Sequence, residues 1–200
     1  QAKGKQVGGV WFVNKTIGEY FVSLGYDVSI ISVRNNKNDI KEEYDKKMKV
    51  YTINEDDIWE IERKRDLLDL LKKGQLATFL TTLISRTKKL KKLQDDFEKL
   101  SNIIKKEIPD YIIVSHYQLL EAIPQEYLAK TINVQHLSYE MTEKTNKGAL
   151  KYFKKYNNKI HKFAWLCDET KKLAIKNGIT NSTAIYNPIK FASKNVANIV

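Results

Sequence analysis

The chain has 200 residues, 42% of them hydrophobic and 30% charged, and carries 35 basic against 24 acidic side chains for a formal net charge of +11. That is material for one globular domain, or a domain plus the start of another. Cys167 is the only cysteine, which excludes an internal disulfide and a cysteine-based zinc cage and favours a reducing, cytoplasmic setting.

No apolar run approaches the roughly 18 residues of a spanning helix, and no signal-peptide pattern opens the chain. All but four of the basic residues are lysine. Lysine suits diffuse attraction to phosphate or anionic lipid better than planar bidentate recognition. The plain alternative is a lysine-rich surface in water.

Residues 1–7 are too short and too polar to supply the strand expected before a βα turn, so the first strand is expected upstream of the sequence. Gly8 and Gly9 then open a helix. Val10, Val13, Ile17, Phe21 and Leu24 recur three or four apart, the one-sided stripe of a helix packed on a flat surface. Gly25 stands at the helix C-cap. Val28, Ile30, Ile31 and Val33 form a β-branched run that predicts a strand buried on both faces. The helix amino terminus at Gly8 and Gly9 offers unpaired N–H groups and a positive dipole end to an anion.

Residues 35–47 are loop-like, and Met48, Val50, Tyr51 and Ile53 predict a short strand. Asp56 or Asp57 is a candidate N-cap for the helical stretch that follows. Residues 58–107 read as two helices broken near Gly74, with leucines at helical spacing. Arg86, Lys88, Lys89, Lys91 and Lys92 cluster in the second helix. They suit either a surface that docks on anionic lipid or a solvated face behind a packed leucine stripe.

Pro109-Asp110 interrupts the helix. Residues 111–114 predict a buried strand ending at Ser115-His116, and a short helix follows around residues 117–122. Residues 131–134 predict the next strand, ending at Gln135-His136. A helix is expected over residues 150–160, a strand over 163–166, and a helix over 168–176 stopped by Asn177-Gly178. The last strand is expected over residues 182–186, closed by Asn187-Pro188. Strands alternating with helices predict an α/β domain with a parallel sheet.

Ligands of open parallel sheets bind outside the carboxyl ends of the strands. Arg34, Ser115, His116, Gln135, His136, Cys167, Asp168 and Asn187 stand there. His116 and His136 each follow a strand directly, where a histidine serves as an acid/base group near neutral pH or makes a structural hydrogen bond. Cys167 beside His136 raises a thiol nucleophile against the plainer role of a small buried residue. The tyrosine- and lysine-rich residues 147–162 can stack bases or, more simply, form core. The glycine pair has neither the GxGxxG nor the GK[ST] spacing of a nucleotide-binding loop.

The order of "GGV" into a helix, then "SLGYDVSIISV", "PDYIIVSH", "TINVQH", "FAWLCDETKKLAIKNGI" and "STAIYNPIKF" resembles the amino-terminal domain of GT-B retaining glycosyltransferases. The likeness is to family four, which includes bacterial polysaccharide, teichoic acid and glycolipid transferases. It spans most of the chain outside the helical insert of residues 55–107. The resemblance implies a Rossmann-like acceptor-binding domain over residues 1–187. Residues 188–200 would then be the linker and the start of a donor-binding domain. It further implies donor-diphosphate contact at Gly8 and Gly9, His136 near the transferred sugar, and an acceptor region that includes Arg34, His116, Tyr117 and Gln135. No metal or cofactor is implied beyond the nucleotide-sugar substrate. The sequence departs from the pattern at Trp11 and Phe12, where an acidic residue is common, and at Cys167, where serine is usual.

Hexosyl transfer at the cytoplasmic face of the membrane is the leading expectation, with little activity from an amino-terminal half alone. A sugar-nucleotide epimerase of the same fold is an alternative. So is a non-enzymatic basic module that binds anionic membrane or nucleic acid.

Overall fold

A computed structural model of the chain describes residues 9–33, 44–53 and 64–187. Gly8, Arg34, the candidate caps Asp56 and Asp57, and the expected linker 188–200 lie outside the described residues.

Helix α1 spans Gly9–Ser23. Its exit is closed by the backbone: the Gly25 N–H donates to the Val22 carbonyl at 3.0 Å, and the Tyr26 N–H to the Phe21 carbonyl at 3.1 Å. This paired closure requires a left-handed residue, and Gly25 supplies it at φ 87° without a Cβ clash. The predicted stripe is only partly used. Val13 is buried, but Val10, Phe21 and Leu24 remain exposed. Close approach to the sheet occurs at Gly18, where an added Cβ would lie 3.2 Å from Met48 Cε and 3.6 Å from Ile30 Cδ1. A glycine without apolar side chain, invisible to a hydrophobicity pattern, marks the contact.

Strands β1 (Ser29–Ser32) and β2 (Lys49–Thr52) pair in parallel, with Ile30 opposite Val50. β1 is half-buried along its length rather than buried on both faces. The chain then enters α2 (Lys64–Lys72) and α3 (Leu76–Glu107), divided at Gly74 as expected. α3 ends on Ile108, which takes a left-handed φ of 49° while its N–H donates to the Ile104 carbonyl at 3.1 Å.

A second sheet holds β3 (Ile112–Val114), β4 (Thr131–Gln135), β5 (Lys162–Trp165) and β6 (Ser182–Ala184), in that order and all parallel. The register places Val114 opposite Asn133, Asn133 opposite Phe163, and Trp165 opposite Ala184. Between β3 and β4 come a 3-10 helix, Tyr117–Ala122, and the single turn α4 (Gln125–Leu128). Between β4 and β5 lie α5 (Tyr139–Thr145) and α6 (Lys147–Tyr156); between β5 and β6 lies α7 (Asp168–Lys176). α7 closes as α1 does, with Gly178 at φ 90°.

Two apolar clusters hold these layers together. One gathers Leu120, Tyr139, Phe153, Tyr156, Phe163 and Trp165, so helices α5 and α6 cover β5. The aromatic residues of the tyrosine- and lysine-rich stretch are therefore core. The other joins Val33 beside β1 and Val114 of β3 to Leu100 and Ile104 of α3. The two sheets thus share a core, and helix α1 touches both. Parallel strands flanked by helices give the predicted α/β, Rossmann-like arrangement.

Candidate functional site

The carboxyl ends of β3, β4, β5 and β6 all point the same way, because every pairing is parallel. Residues leaving those strands form one rim. At its β1 side, Ser115 Oγ donates to Asn14 Oδ1 of α1 at 3.0 Å. This bond brings the first turns of α1, which begins at Gly9, to the end of β3.

β4 is built differently from its neighbours. Thr131, Asn133 and Gln135 point to the buried face, an alternation that normally carries apolar side chains. Each is paired. Thr131 Oγ1 donates to the Tyr127 carbonyl at 2.9 Å, Asn133 Nδ2 to the Val114 carbonyl at 2.8 Å, and Gln135 Nε2 to Asn133 Oδ1. Burying a polar side chain without such a partner would cost roughly 1–3 kcal/mol. The ladder ties β4 to β3 and ends beneath the rim. Gln135 is therefore placed within the sheet, with its amide nitrogen on Asn133, rather than out on the rim.

His136 follows at once and is half-buried. Its Nε2 is buried and has no hydrogen-bond partner among the described residues. Burial pushes the imidazole below its ordinary value, so the ring is neutral at pH 7. A neutral imidazole has one donor and one acceptor nitrogen, and here one of the two lacks a protein partner.

His116 is placed otherwise. Its Nδ1 accepts from the Gln118 N–H at 3.4 Å, capping the 3-10 helix, and its ring stacks on Tyr117 with centroids 4.8 Å apart. Tyr117 is half-buried, and its hydroxyl accepts from Asn146 Nδ2 at 2.8 Å. Asn146 also caps α6, accepting from the Ala149 N–H at 3.3 Å. Of the residues expected at the acceptor region, His116 and Tyr117 thus have structural partners, with the His116 side chain still exposed.

Across the rim, Cys167 precedes α7 and is half-buried. Its Sγ donates to Thr170 Oγ1 at 3.2 Å, so the thiol is paired within its own turn. Asp168 accepts from Lys171 at 2.5 Å, and this ion pair holds its carboxyl below the usual carboxylate range. Tyr186, which follows β6, donates to the same carboxylate at 3.5 Å, and Asn187 is exposed. Among the described residues, no three His, Cys, Asp or Glu side chains gather as a metal ion would require.

Two participants escape a reading of the sequence. Asn14 lies inside a helix, where nothing marks it as a partner for Ser115. Asn133 sits mid-strand in "TINVQ", where alternation exposes a polar face but not its direction. Asn146 was detectable in principle, since an asparagine ahead of an apolar-periodic run is an N-cap signal. Comparison with family models, with curated proteins and with solved structures finds no match for this chain.

Proposed function

We propose that the chain is the acceptor-side domain of a glycosyltransferase that moves a sugar from a nucleotide-sugar donor to a polysaccharide, teichoic acid or glycolipid acceptor. The Rossmann-like arrangement and the ordered motifs support this reading. The observation that carries it is the buried, unpartnered Nε2 of His136 at the carboxyl end of β4. A sugar hydroxyl can both donate and accept, which matches the capacity left open on a neutral imidazole. In this reading His136 holds a hydroxyl at the reacting sugar. In the same reading the amino end of α1, which begins at Gly9, faces the donor diphosphate, where helix N–H groups favour the developing negative charge. A facing donor-binding domain closes the cleft and keeps water from the donor.

The test is turnover of a panel of nucleotide sugars by a polypeptide carrying this domain together with its facing domain. His136→Ala should lower kcat/KM by about a hundredfold or more, the scale of a positioned polar group at the reacting centre. An unchanged kcat/KM would remove His136 from the site. Donor conversion without any acceptor would point to epimerisation instead.

A further inference from the structure

We propose that the α2–α3 hairpin is a docking element for an anionic lipid bilayer. α3 has 32 residues, about 48 Å at 1.5 Å per residue, yet its buried residues Asp96, Leu100 and Ile104 all fall in its carboxyl-terminal half. The amino-terminal half, packed against α2, runs beyond the core. There it carries apolar side chains that face solvent: Leu76 is 63% exposed, Leu80 56% and Ile84 57%. These residues, with Leu83 and Leu90, recur three, four or seven apart and so share one stripe of the helix. Leu68 of α2 is likewise 56% exposed. A contiguous apolar stripe left in water on a folded domain marks an interaction surface.

Charge identifies the occupant. Residues 67–92 contain seven basic side chains against one acidic one. Lys88 and Lys91 are exposed and, at 100° per residue, lie on the side of α3 away from its buried residues, Lys88 bordering the stripe beyond Ile84 and Lys91 in line with Leu80 and Ile84. An apolar stripe bordered by lysine is the pattern of a helix lying in the bilayer interface, its leucines at the acyl boundary and its lysines among anionic head groups. A second copy of the chain would oppose the same positive charge with itself. A nucleic acid would leave the leucine stripe uncovered. None of the described helices is long and apolar enough to cross a membrane, so the hairpin lies on the bilayer. These side chains and the strand-end rim belong to different elements, so docking stands whether or not the chain transfers sugar.

The 200-residue chain should co-sediment with vesicles of phosphatidylcholine containing about 30% phosphatidylglycerol, and not with pure phosphatidylcholine. Raising the salt should weaken it, as for any head-group attraction. Lys88→Gln and Lys91→Gln should each weaken binding by about fivefold. The double variant Leu80→Asp/Ile84→Asp should lose it by more than tenfold. Because these side chains are exposed, circular dichroism and Tm should stay as in the natural chain, which separates lost docking from lost folding. Three results would overturn the proposal: no binding to the anionic vesicles, equal binding to both compositions, or undiminished binding by the double variant. A dimer broken by Leu80→Asp/Ile84→Asp without vesicle binding would assign the stripe to a second copy. Capture of a 20-nucleotide RNA without vesicle binding would assign the lysines to nucleic acid.

Discussion

Glu107, the last residue of α3, locks the long helix to the first sheet and gives the fold an acid-sensitive joint. Its carboxylate accepts from Ser29 Oγ at 2.8 Å, from Lys49 Nζ at 3.0 Å and from Tyr51 Oη at 2.6 Å. With three donors on the ionised form, chiefly the Tyr51 hydroxyl, its pKa falls from 4.5 to about 2. A displacement of that size corresponds to a ceiling of about 3.4 kcal/mol. Solvent screens the cluster, since Lys49 is 64% exposed although the Glu107 side chain is only 13% exposed. The realistic contribution is therefore about 1–2 kcal/mol. Because folding depresses this pKa, the stabilisation is fully present above pH 4.5 and is lost as pH falls towards 2. Glu107→Gln, which keeps the shape and removes the charge, should lower Tm at pH 7 by roughly 2–8 °C for a chain of this size. The gap between natural and variant chains should shrink steadily below pH 4.5 in urea or thermal unfolding. A gap of the same size at pH 5 and pH 2.5 would show that the carboxylate charge does not secure α3.

Phe153 is fully buried between Phe163 and Trp165, so Phe153→Ala should cost about 3–5 kcal/mol, read as a lowered urea midpoint. Ile108 holds a left-handed backbone with a side chain 71% exposed, so Ile108→Gly should raise stability by about 1 kcal/mol or less, measured in the same titration. Gly178 at φ 90° predicts the reverse, a loss of about 1 kcal/mol on Gly178→Ala. Burial lowers the His136 pKa from 6.5, so its ring protons should titrate below that value in NMR spectra. The unfolded chain then binds that proton more readily, and His136 should subtract stability as pH falls through 6.5. A titration at or above 6.5 would contradict the burial of the ring.

The helix breaks at Gly25, Gly74 and Gly178 are legible because each rests on a local rule, whereas the helix expected over residues 150–160 runs Lys147–Tyr156. α7 begins at Asp168 and ends before Gly178, and α2 and α3 part at Gly74. Tertiary placement was not local, and there the sequence misled. The stripe of α1 marks a face that the sheet covers only near Val13 and Gly18, since close approach depends on what the glycine lacks. α5 is hidden in the sequence because "YEMTEKT" has little apolar periodicity; Ser138 starts it by accepting from the Met141 N–H at 3.2 Å. The leucines of α3 were legible as helical, but spacing alone does not tell a stripe packed inward from one left facing solvent. Of the site, the strand-end histidines could be located in advance. Which one had its ring committed could not, because the Gln118 N–H on His116 and the burial of His136 arise only in the folded chain.

The polar ladder of β4 ties down the strand that carries His136, whose Nε2 has no hydrogen-bond partner among the described residues. A histidine at a strand end is usually oriented by a hydrogen bond to one ring nitrogen, as His116 is. β4 instead fixes its backbone from below. Parallel pairing with β3 and β5 holds both edges, and the Asn133 side chain adds a bond to the Val114 carbonyl. Gln135, buried and bonded to Asn133, adds a second side-chain tie at the strand end. Asn133 is thus the positioning element. Replacing both amides with leucine would preserve burial but remove the cross-strand tie, whereas replacing Asn133 alone would strand the Gln135 amide. The buried amides exchange some apolar packing for a fixed direction at the next residue, the one whose Nε2 remains open.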